Sequence, residues 1–491
     1  MVAFNNIPGN LLVPFAYFEF NSGGSPYEGQ ARLLLIGQKL AAGTAPAGVP
    51  YGPVQSEREV AGLAGLNSML VEMYRYARRN APFQPIWILP LADPSGAAAS
   101  GTITITAPAV TGPGVMRIAG ELVFIQTNAS DTATQVAAAL VSAINAAGLV
   151  VTAANTAGVV TVTSRHVGAL GNKIVLSVPP LSTGNMLVGK AAIVAMASGS
   201  GVPALTTPLA NLGDDEFDWI ASPYADATSL DSVRSFLSDT SGRWSPSKQL
   251  YGHYITAEQG NLSALVTLGN SRNDRHVSID GSQSGPSAPW RRAAAIGGQA
   301  AQHLTDAPEL SRPLQTLELD GILPPEDRST WWTQPDRQAL YVDGMSGTKV
   351  TIDGRVIIDR IVTTEQVDIL GQPDATFRDI ETMGQMMFIG RYFRTGVGQR
   401  HGRQALANEN PSGVAEITTP RDVKATLVHL YEEMVALGVV EKADLFARFV
   451  VVERDLNNAT RLNASLPVDV VNQLRVFAGN VTAFLEYRQA A

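Results

Sequence analysis

Two glycine-containing segments have residue types that could do chemistry. Residues 281–285, "GSQSG", are close to the nucleophile elbow G-x-S-x-G, but the serine comes one place late. Residues 344–349, "GMSGTK", suggest a phosphate-binding loop but lack the G-x-x-x-x-G-K-[ST] order that aims backbone amides at a phosphate. We therefore predict a loop after a strand for the first segment and a turn before a hairpin for the second.

Acidic and histidine side chains are the remaining candidate metal ligands, because the chain has no cysteine. The run "GDDEFDW" holds Asp214, Asp215, Glu216 and Asp218, which could bind a hard cation if the backbone curled around it. It lacks the spacing of an EF-hand, and no histidines stand in an H-x-x-x-H pair. We predict a solvated turn here and no metal site or other cofactor. The histidines, each predicted to be exposed or hydrogen-bonded, are His166, His253, His276, His303, His401 and His429.

A basic cluster lies in "RYFRTGVGQRHGR", residues 391–403, where arginines alternate with Tyr392 and Phe393. Basic and aromatic side chains together can bind phosphate or single-stranded nucleic acid. The flanking sequence is not basic, which favours a solvated or carboxylate-paired helix face. Contact with an acidic surface of a protein partner is a third interpretation.

The composition is that of a globular protein. The 491 residues predict roughly three domains. A net charge of −8 and a pI near 5.4 do not favour nucleic acid as a partner. The first basic residue is Arg32, so the apolar start lacks the charged region of an export signal. No apolar stretch approaches the roughly 20 residues of a membrane span. We expect a soluble protein made in the cytoplasm.

The spacing of apolar residues predicts an α/β core. Buried strands are expected at "ARLLLIGQ" and "PIWILPL", with one helix between them that starts at a Ser56/Glu59 capping box and runs to Asn80. After Ala204, strands and helices alternate, which is typical of a largely parallel sheet. Further predictions are a hairpin with its turn at Asp353 and Gly354, a helix between caps at residues 419 and 438, and a strand at "RFVVVERD".

Residues 94–203 differ from the rest in being rich in alanine, glycine, threonine and valine with few charges. Short strand-like segments dominate, and "TATQVAAALVSAINAAG" is the one clear helix, with Asp131 near its cap. We predict a small β-rich inserted domain.

Both ends of the chain have strand patterning. Residues 11–20, "LLVPFAYFEF", contain Pro14, which is excluded from a central strand. In the last twenty residues, every second residue from Phe477 is apolar or small, which predicts a strand without a partner. Gly479 with Asn480 could instead form the turn of a hairpin. A helix is a further alternative, and its apolar face would comprise Leu474, Phe477, Ala478, Val481, Phe484 and Leu485.

Residues 321–394, from "GILPPEDRSTWWTQPDRQALYVDGMSGTKVTIDGRVIIDRIV" to "GRYFR", resemble the tail sheath proteins of contractile-tailed bacteriophages, specifically the Mu-like group. The stretches "IPGNLLVPFAYFEF", "LLLIGQKLAAGTA", "GLNSMLVEMYRYARRNAPFQPIWILPLAD" and "LPVDVVNQLRVFAGNVTAFLEY" look like the same family in the same order. The likeness covers nearly the whole chain.

The resemblance implies an α/β (α+β) multidomain fold with a mixed-sheet polymerising core, extended N- and C-terminal strand arms and an inserted β-rich domain. The expected parts are an N-terminal arm (1–25), an α/β sheath core (26–93 with 204–350), an outward-facing insertion (94–203), a C-terminal sheath domain (351–471) and a C-terminal arm (472–491).

The resemblance also implies that both arms are donated to neighbouring subunits, where they add strands to a sheet. The expected residues of the N-terminal arm are Leu12, Val13, Phe15, Tyr17, Phe18 and Phe20. Those of the C-terminal arm are Val476, Phe477, Val481, Phe484, Leu485 and Tyr487. The expected acceptor strand comprises Phe449, Val450, Val451 and Val452, and Arg421 and Lys424 are the expected contacts to the tail tube.

The implied function is mechanical and needs no catalytic residue. Stacked six-subunit rings surround a tail tube and shorten on triggering, which drives the tube through the host envelope. The implied partners are further copies of the chain, the tube, baseplate and tail terminator proteins, in a virion assembled in the host cytoplasm. A phage-tail-like bacteriocin or a defective prophage is the alternative. An α/β hydrolase-type enzyme is favoured only by the alternating strands and helices.

Overall fold

The structure is a computed structural model that describes residues 31–106, 110–180, 184–307 and 309–484. Within these ranges the chain forms two compact units. The large unit takes residues 31–388, 434–442 and 468–484, and the small unit takes 389–433 and 443–467. The predicted N-terminal arm, with Leu12, Val13, Phe15, Tyr17, Phe18 and Phe20, lies outside the described residues, as do Leu485 and Tyr487.

Strands and helices alternate along much of the described chain. The strands are β1 (Leu33–Gln38), β2 (Ile86–Leu91), β3 (Ala98–Ile105), β4 (Gly112–Ile118), β5 (Glu121–Thr127), β6 (Val151–Thr156), β7 (Val159–Val167), β8 (Leu176–Ser177), β9 (Ala191–Ala197), β10 (Trp219–Ala221), β11 (His253–Gln259), β12 (Val277–Ser282), β13 (Gly347–Val350), β14 (Val356–Arg360), β15 (Ala405–Leu406), β16 (Ile417–Thr418), β17 (Val451–Arg454) and β18 (Leu462–Ser465). The helices are α1 (Glu57–Ala64), α2 (Met69–Asn80), α3 (Ala133–Ala146), α4 (Thr206–Ala210), α5 (Ala227–Leu237), α6 (Leu262–Asn270), α7 (Pro289–His303), α8 (Gln334–Val342), α9 (Ile380–His401), α10 (Pro420–Ala436) and α11 (Ala443–Phe449).

A five-stranded parallel sheet, in the order β12-β11-β10-β1-β2, lies in the core of the large unit. Every residue of β1 is buried, because helices cover both faces of the sheet. Leu33 and Leu35 pack on the side of α2 and α7, whereas Leu34 and Ile36 pack on the side of α5, α6 and α8. The predicted parallel sheet is confirmed, and several smaller sheets make the fold a mixed α/β one.

Both edges of this sheet are already paired by the chain itself. On the β2 edge, Tyr51 and Ile88 exchange both backbone hydrogen bonds at 2.9 Å. On the β12 edge, the Ser346 N–H donates to the Ile279 carbonyl at 2.8 Å. Ser346 leads into the predicted hairpin of β13 and β14, in which Gly354 has a φ of 85° at the turn. The five-stranded sheet therefore offers no edge to an additional strand.

The region 94–203 is rich in strands, as predicted. It contains an antiparallel sheet in the order β6-β7-β3-β9 and a second in the order β5-β4-β8. Helix α3 buries Val136, Leu140 and Ile144, and Thr132, one residue after Asp131, forms its capping box with Gln135.

The helix predicted from Ser56 to Asn80 is wrong in its length, because two helices occupy this stretch. Gly65, at a φ of 89°, ends α1, and α2 starts after a new cap. The Ser56 hydroxyl accepts from the Glu59 N–H as expected, but the Glu59 carboxylate accepts from the Gln55 N–H instead of returning to Ser56.

Aromatic stacking lies at the centre of the small unit. The rings of Tyr431 and Phe446 stack at 3.9 Å, with Phe393 beyond Phe446 at 6.2 Å. The predicted start of α10 is confirmed, since Thr419 and Asp422 form a reciprocal cap. No helix of the described residues is long and apolar enough to cross a bilayer.

Candidate functional site

The two glycine-containing segments do not form catalytic loops. Gly281 and Ser282 are the last residues of β12, and the Gly281 N–H donates to the Ser346 carbonyl at 2.9 Å. Gly347 and Thr348 belong to β13, so this segment uses its backbone in strand pairing. Neither segment has the residue order of a serine elbow or of a phosphate-binding loop.

The crevice where parallel α/β sheets bind ligands is filled by the chain itself. That crevice lies at the carboxyl ends of strands where their order reverses, here between β1 and β10. Gln38, the last residue of β1, donates to Asp93 Oδ1 and to the Val167 carbonyl, both at 2.7 Å. Lys173 pairs with Glu258 in the same place. The remaining cavity of about 100 Å³ is small for a cofactor.

The histidine beside this crevice is a structural bridge. His166 is buried, and its Nε2 accepts the Met69 backbone N–H at 2.9 Å. The proton must therefore sit on Nδ1, which donates to Asp93 Oδ1 at 2.9 Å. Burial alone would raise the pKa of Asp93, but the hydrogen bond and charge of His166, together with hydrogen bonds from the Val167 N–H and Gln38, leave that pKa below its ordinary value.

The acidic run is not the fully solvated turn that was predicted. Asp218 is buried, and its Oδ2 accepts the Arg32 backbone N–H at 3.2 Å, while Asp214 and Asp215 are exposed. The reason is position, because Asp218 directly precedes the central strand β10. The described residues contain no group of three possible metal ligands.

The basic cluster spreads over several faces of α9. Arg391 is buried, whereas Arg394 and Arg400 are exposed. Arg400 Nη2 lies 3.8 Å from Glu433 Oε1, which fits the carboxylate pairing favoured from the sequence.

The most distinctive site in the described chain is its C-terminal segment, which is fixed to the large unit and then leaves it. Val470 bridges to Val440, and the Val471 N–H donates to the Val439 carbonyl at 3.1 Å. Gln385 Nε2 donates to the Val471 carbonyl at 2.9 Å. These contacts hold the chain up to the beginning of the predicted arm.

An ion cluster forms the last anchor of this segment. Arg475 Nη2 lies 2.5 Å from Glu381 Oε2 and 3.1 Å from Asp379 Oδ1, and Arg360 binds Asp379 through two nitrogens at 2.8 and 2.9 Å. Glu381 is fully buried, and its other oxygen accepts the Leu314 N–H. Burial raises the pKa of Glu381 above its ordinary value, and Arg475 opposes that rise. No sequence pattern predicts this cluster, and the one signal that could have found it is Arg475, the single charge between Leu474 and Leu485.

Beyond Arg475 the large apolar side chains face solvent. The exposed fractions are 79% for Val476, 87% for Phe477, 92% for Val481 and 61% for Phe484. Residues 472–484 form neither the predicted strand nor the alternative helix or hairpin. A strand needs hydrogen-bonding partners, and the described chain pairs none with this segment.

The predicted acceptor strand is displaced along the chain. Phe449 is the last residue of α11 rather than part of a strand, because the Val450 N–H donates to the Phe446 carbonyl at 2.8 Å and extends the helical turn. Only Val451 and Val452 belong to β17. This strand pairs with β18 alone, so the hairpin has two edges that no third described strand covers.

The predicted tube contacts lie in the first turns of α10. The Arg421 side chain is exposed and that of Lys424 is partly exposed. A role in binding a tube stays a prediction for both.

Comparison with known sequences assigns the chain to a family. Residues 198–364 match the family model described as phage tail sheath protein central domain, and residues 372–484 match phage tail sheath C-terminal domain. The Mu-like prophage FluMu tail sheath protein of Haemophilus influenzae is 32% identical over 487 residues, covering 97% of this chain and 98% of that protein.

Three solved structures have a similar chain at 12% identity. They are a sheath tail protein of Desulfitobacterium hafniense (94% of this chain, 97% of that one, TM-score 0.49), a sheath tail protein of Listeria innocua (91% and 93%, 0.48) and a chain of the anti-feeding prophage baseplate (96% and 99%, 0.48). Because these TM-scores are below 0.5, the assignment rests on the sequence matches. By those matches the chain belongs to the phage tail sheath protein family, whose members are structural components of tails in phages or phage-like particles and not enzymes.

Proposed function

We propose that this chain polymerises into stacked hexameric rings around a tail tube and contracts to drive the tube through the host envelope. The observation that carries the proposal is the coexistence, among the described residues of one chain, of an exposed apolar arm segment from Val476 and a two-stranded hairpin to which no third described strand is hydrogen-bonded. Within the described part of the chain, neither feature is part of a larger sheet. Together they are complementary between two copies.

The link between copies is strand addition. The arm from Val476 of one subunit pairs with the β17–β18 hairpin of the next, as does the N-terminal arm of residues 1–25. The five-stranded sheet is a poor alternative acceptor because its two edges are already paired. Val451, exposed on β17, provides an apolar side chain at the proposed contact.

The free energy of this link comes from the backbone hydrogen bonds between the strands and from burial of the arm's side chains. About five ladder bonds at roughly 1 kcal/mol each, with a few large side chains at about 2 kcal/mol each, supply on the order of 10 kcal/mol before ordering costs. An attachment of this strength can hold subunits together while the remaining contacts between subunits change during contraction.

The other partners follow from the same role. Arg421 and Lys424 on α10 are the proposed contacts to the tube protein, and the insertion at 94–203 faces outward. Baseplate and tail terminator proteins bind the ends of the stack, and neither nucleic acid nor membrane insertion is involved. Assembly takes place in the host cytoplasm. The relative from Haemophilus is named as a prophage protein, which favours a prophage origin as the second candidate alongside an infectious phage or a bacteriocin.

Truncation after Arg475 tests the proposal. We expect a folded subunit that no longer forms tubes or rings in electron micrographs, because the donor strand is gone. Circular dichroism and unfolding midpoints close to those of the full chain show that folding is intact. Normal tubes from the truncated chain contradict strand donation.

A mixing experiment separates donor from acceptor. Successive N–H groups of β17 point to opposite edges, one toward β18 and the next away from it. Proline has no N–H, so whichever of Val451→Pro and Val452→Pro replaces the outward-facing N–H removes a donor from the outer edge of β17. That variant keeps its arm but loses its acceptor. Mixed with the truncated chain, it should form short complexes that do not extend, whereas each variant alone stays unassembled.

A further inference from the structure

We infer that Arg475 is a positioning residue that fixes the pivot of the C-terminal arm and the direction in which the arm leaves the subunit. The inference rests on the proposed strand donation and adds the place at which the arm leaves its contacts with the large unit. It draws only on contacts within the large unit.

The contacts change abruptly at one peptide bond. Before it, the Leu474 carbonyl accepts from Gln315 Nε2 at 3.1 Å, and the Arg475 side chain is 12% exposed between Asp379 and Glu381. After it, Val476 and Phe477 are among the most exposed large apolar residues of the described chain. The arm therefore pivots between Arg475 and Val476.

Moving Arg475 out of the ion cluster is energetically unfavourable. Glu381 is fully buried, so removing the guanidinium leaves a buried carboxylate that keeps backbone hydrogen bonds, among them that from the Leu314 N–H, but loses the guanidinium that contacts it. Asp379 keeps Arg360 and is less affected. The buried charge of Glu381 therefore holds Arg475, and with it the start of the arm, in one place.

One nitrogen makes both contacts of Arg475. Nη2 reaches Glu381 and Asp379, whereas Nε and Nη1 are buried without a hydrogen-bond partner. A lysine ammonium, which is a point charge, can replace a single nitrogen of this kind. Arg475→Lys is therefore the matched conservative variant, and Arg475→Ala is the disruptive one.

A fixed pivot matters because it shortens the search of the arm for its acceptor. The sixteen residues from 476 to 491 reach at most about 55 Å when extended. When Arg475 is released, the freed backbone must be ordered again on binding, which weakens assembly. We expect the critical concentration for assembly to rise at least about tenfold in Arg475→Ala, equivalent to about 1.4 kcal/mol.

The experiment measures critical concentration by light scattering and hydrogen exchange of residues 470–475 in the unassembled full chain. Arg475→Ala should raise both the critical concentration and the exchange rate, and Arg475→Lys should restore both toward wild type. Glu381→Gln, whose amide oxygen keeps the Leu314 bond, should act like Arg475→Ala and replaces it if the alanine variant does not fold.

The outcomes distinguish this inference from the proposed function. If Arg475→Ala assembles at the wild-type concentration while truncation after Arg475 abolishes assembly, the pivot is overturned and strand donation stands. If the truncated chain assembles normally, strand donation fails and the assembly role of Arg475 fails with it. Faster exchange at residues 470–475 without rescue by lysine also overturns the pivot, because it indicates general loosening.

Discussion

Replacing Glu72 by glutamine should destabilise the large unit far more than removing a surface carboxylate. Glu72 on α2 binds Arg291 on α7 through two contacts, Oε1 to Nη2 at 2.6 Å and Oε2 to Nε at 2.9 Å. Trp290 Nε1 also donates to Oε2 at 2.7 Å, and both members of the ion pair are buried. Although burial alone would lower the pKa of Arg291, Glu72 raises it above its ordinary value.

The magnitude follows from burial. Removing one partner of a buried ion pair costs about 3–5 kcal/mol, because the other charge stays in a poorly solvated place. Glu121 Oε1 lies 3.1 Å from Arg291 Nη1 and compensates part of that charge. Glutamine still accepts from Trp290. We therefore expect about 3 kcal/mol, at the lower end of this range.

The assay is native-state hydrogen exchange of the α2 and α7 amides, which reports the free energy of local opening. A loss of about 3 kcal/mol corresponds to exchange on the order of a hundred times faster. Glu57→Gln is the matched control. Glu57 of α1 contacts Arg75 of α2 at 2.6 Å, but both of these side chains are about one third exposed or more. That pair should contribute at most about 1 kcal/mol.

A double variant completes the test. Arg291→Met added to Glu72→Gln removes the uncompensated charge, so the double variant should be less destabilised than the sum of the two single ones. Equal effects of Glu72→Gln and Glu57→Gln, or strict additivity in the double variant, would show that the Glu72–Arg291 ion pair does not stabilise the packing of α2 against α7.

Three further outcomes concern single positions. Burial lowers the pKa of His253 to about 3, so between pH 6.5 and 3 the unfolded chain binds a proton that the folded chain does not. Stability should therefore fall with falling pH in this window, by up to about 1.4 kcal/mol per unit, and His253→Asn should show a shallower slope in urea unfolding. Gly62→Ala, at an exposed position inside α1 with open space around it, should stabilise by about 0.5–1 kcal/mol. Gly354→Ala, at a φ of 85°, should destabilise by about 1 kcal/mol in the same unfolding assay.

Elements specified by nearby residues could be predicted from the sequence. The run "LLLIGQ" is apolar without alternation, which is the pattern of a strand covered on both faces, and it forms β1. Thr419 and Pro420 define the start of α10 through local capping chemistry. Gly354 supplies the turn of the β13–β14 hairpin. In each case the deciding interaction lies within a few residues of the chain.

Interactions between distant residues could not be predicted. Arg291 and Arg292 in "PWRRAAAIGG" are both buried, because Glu72 and Asp280 provide counterions from α2 and β12. Asp280 precedes Arg292 by 12 residues, and Glu72 precedes Arg291 by 219 residues. No sequence pattern indicates that either pair is in contact. The Arg475 cluster was missed for the same reason, since Glu381 precedes it by 94 residues.

The tail shows a different limit, because its patterning is compatible with a strand, a helix or a hairpin, and its described residues, 472–484, adopt none of them. A strand becomes favourable only when a partner supplies the ladder bonds, and a helix only when its apolar face is covered. The proposed strand donation would therefore make the conformation of the tail depend on a second molecule.

The α/β fold class does not distinguish this protein from an enzyme, since α/β sheets support many functions. A clearer difference lies in which parts of the fold are filled by the chain itself and which are left exposed. An enzyme of this class keeps the crevice at the carboxyl ends of its strands open, but here Gln38 and Lys173 help to close it. Among the described residues, what stays uncovered is an edge of the β17–β18 hairpin and an apolar segment that begins at Val476. The four large apolar side chains described in that segment are 61–92% exposed, and burying each of them is worth up to about 2 kcal/mol. Under the proposed strand donation, association with further copies would bury these side chains and pair the hairpin edge.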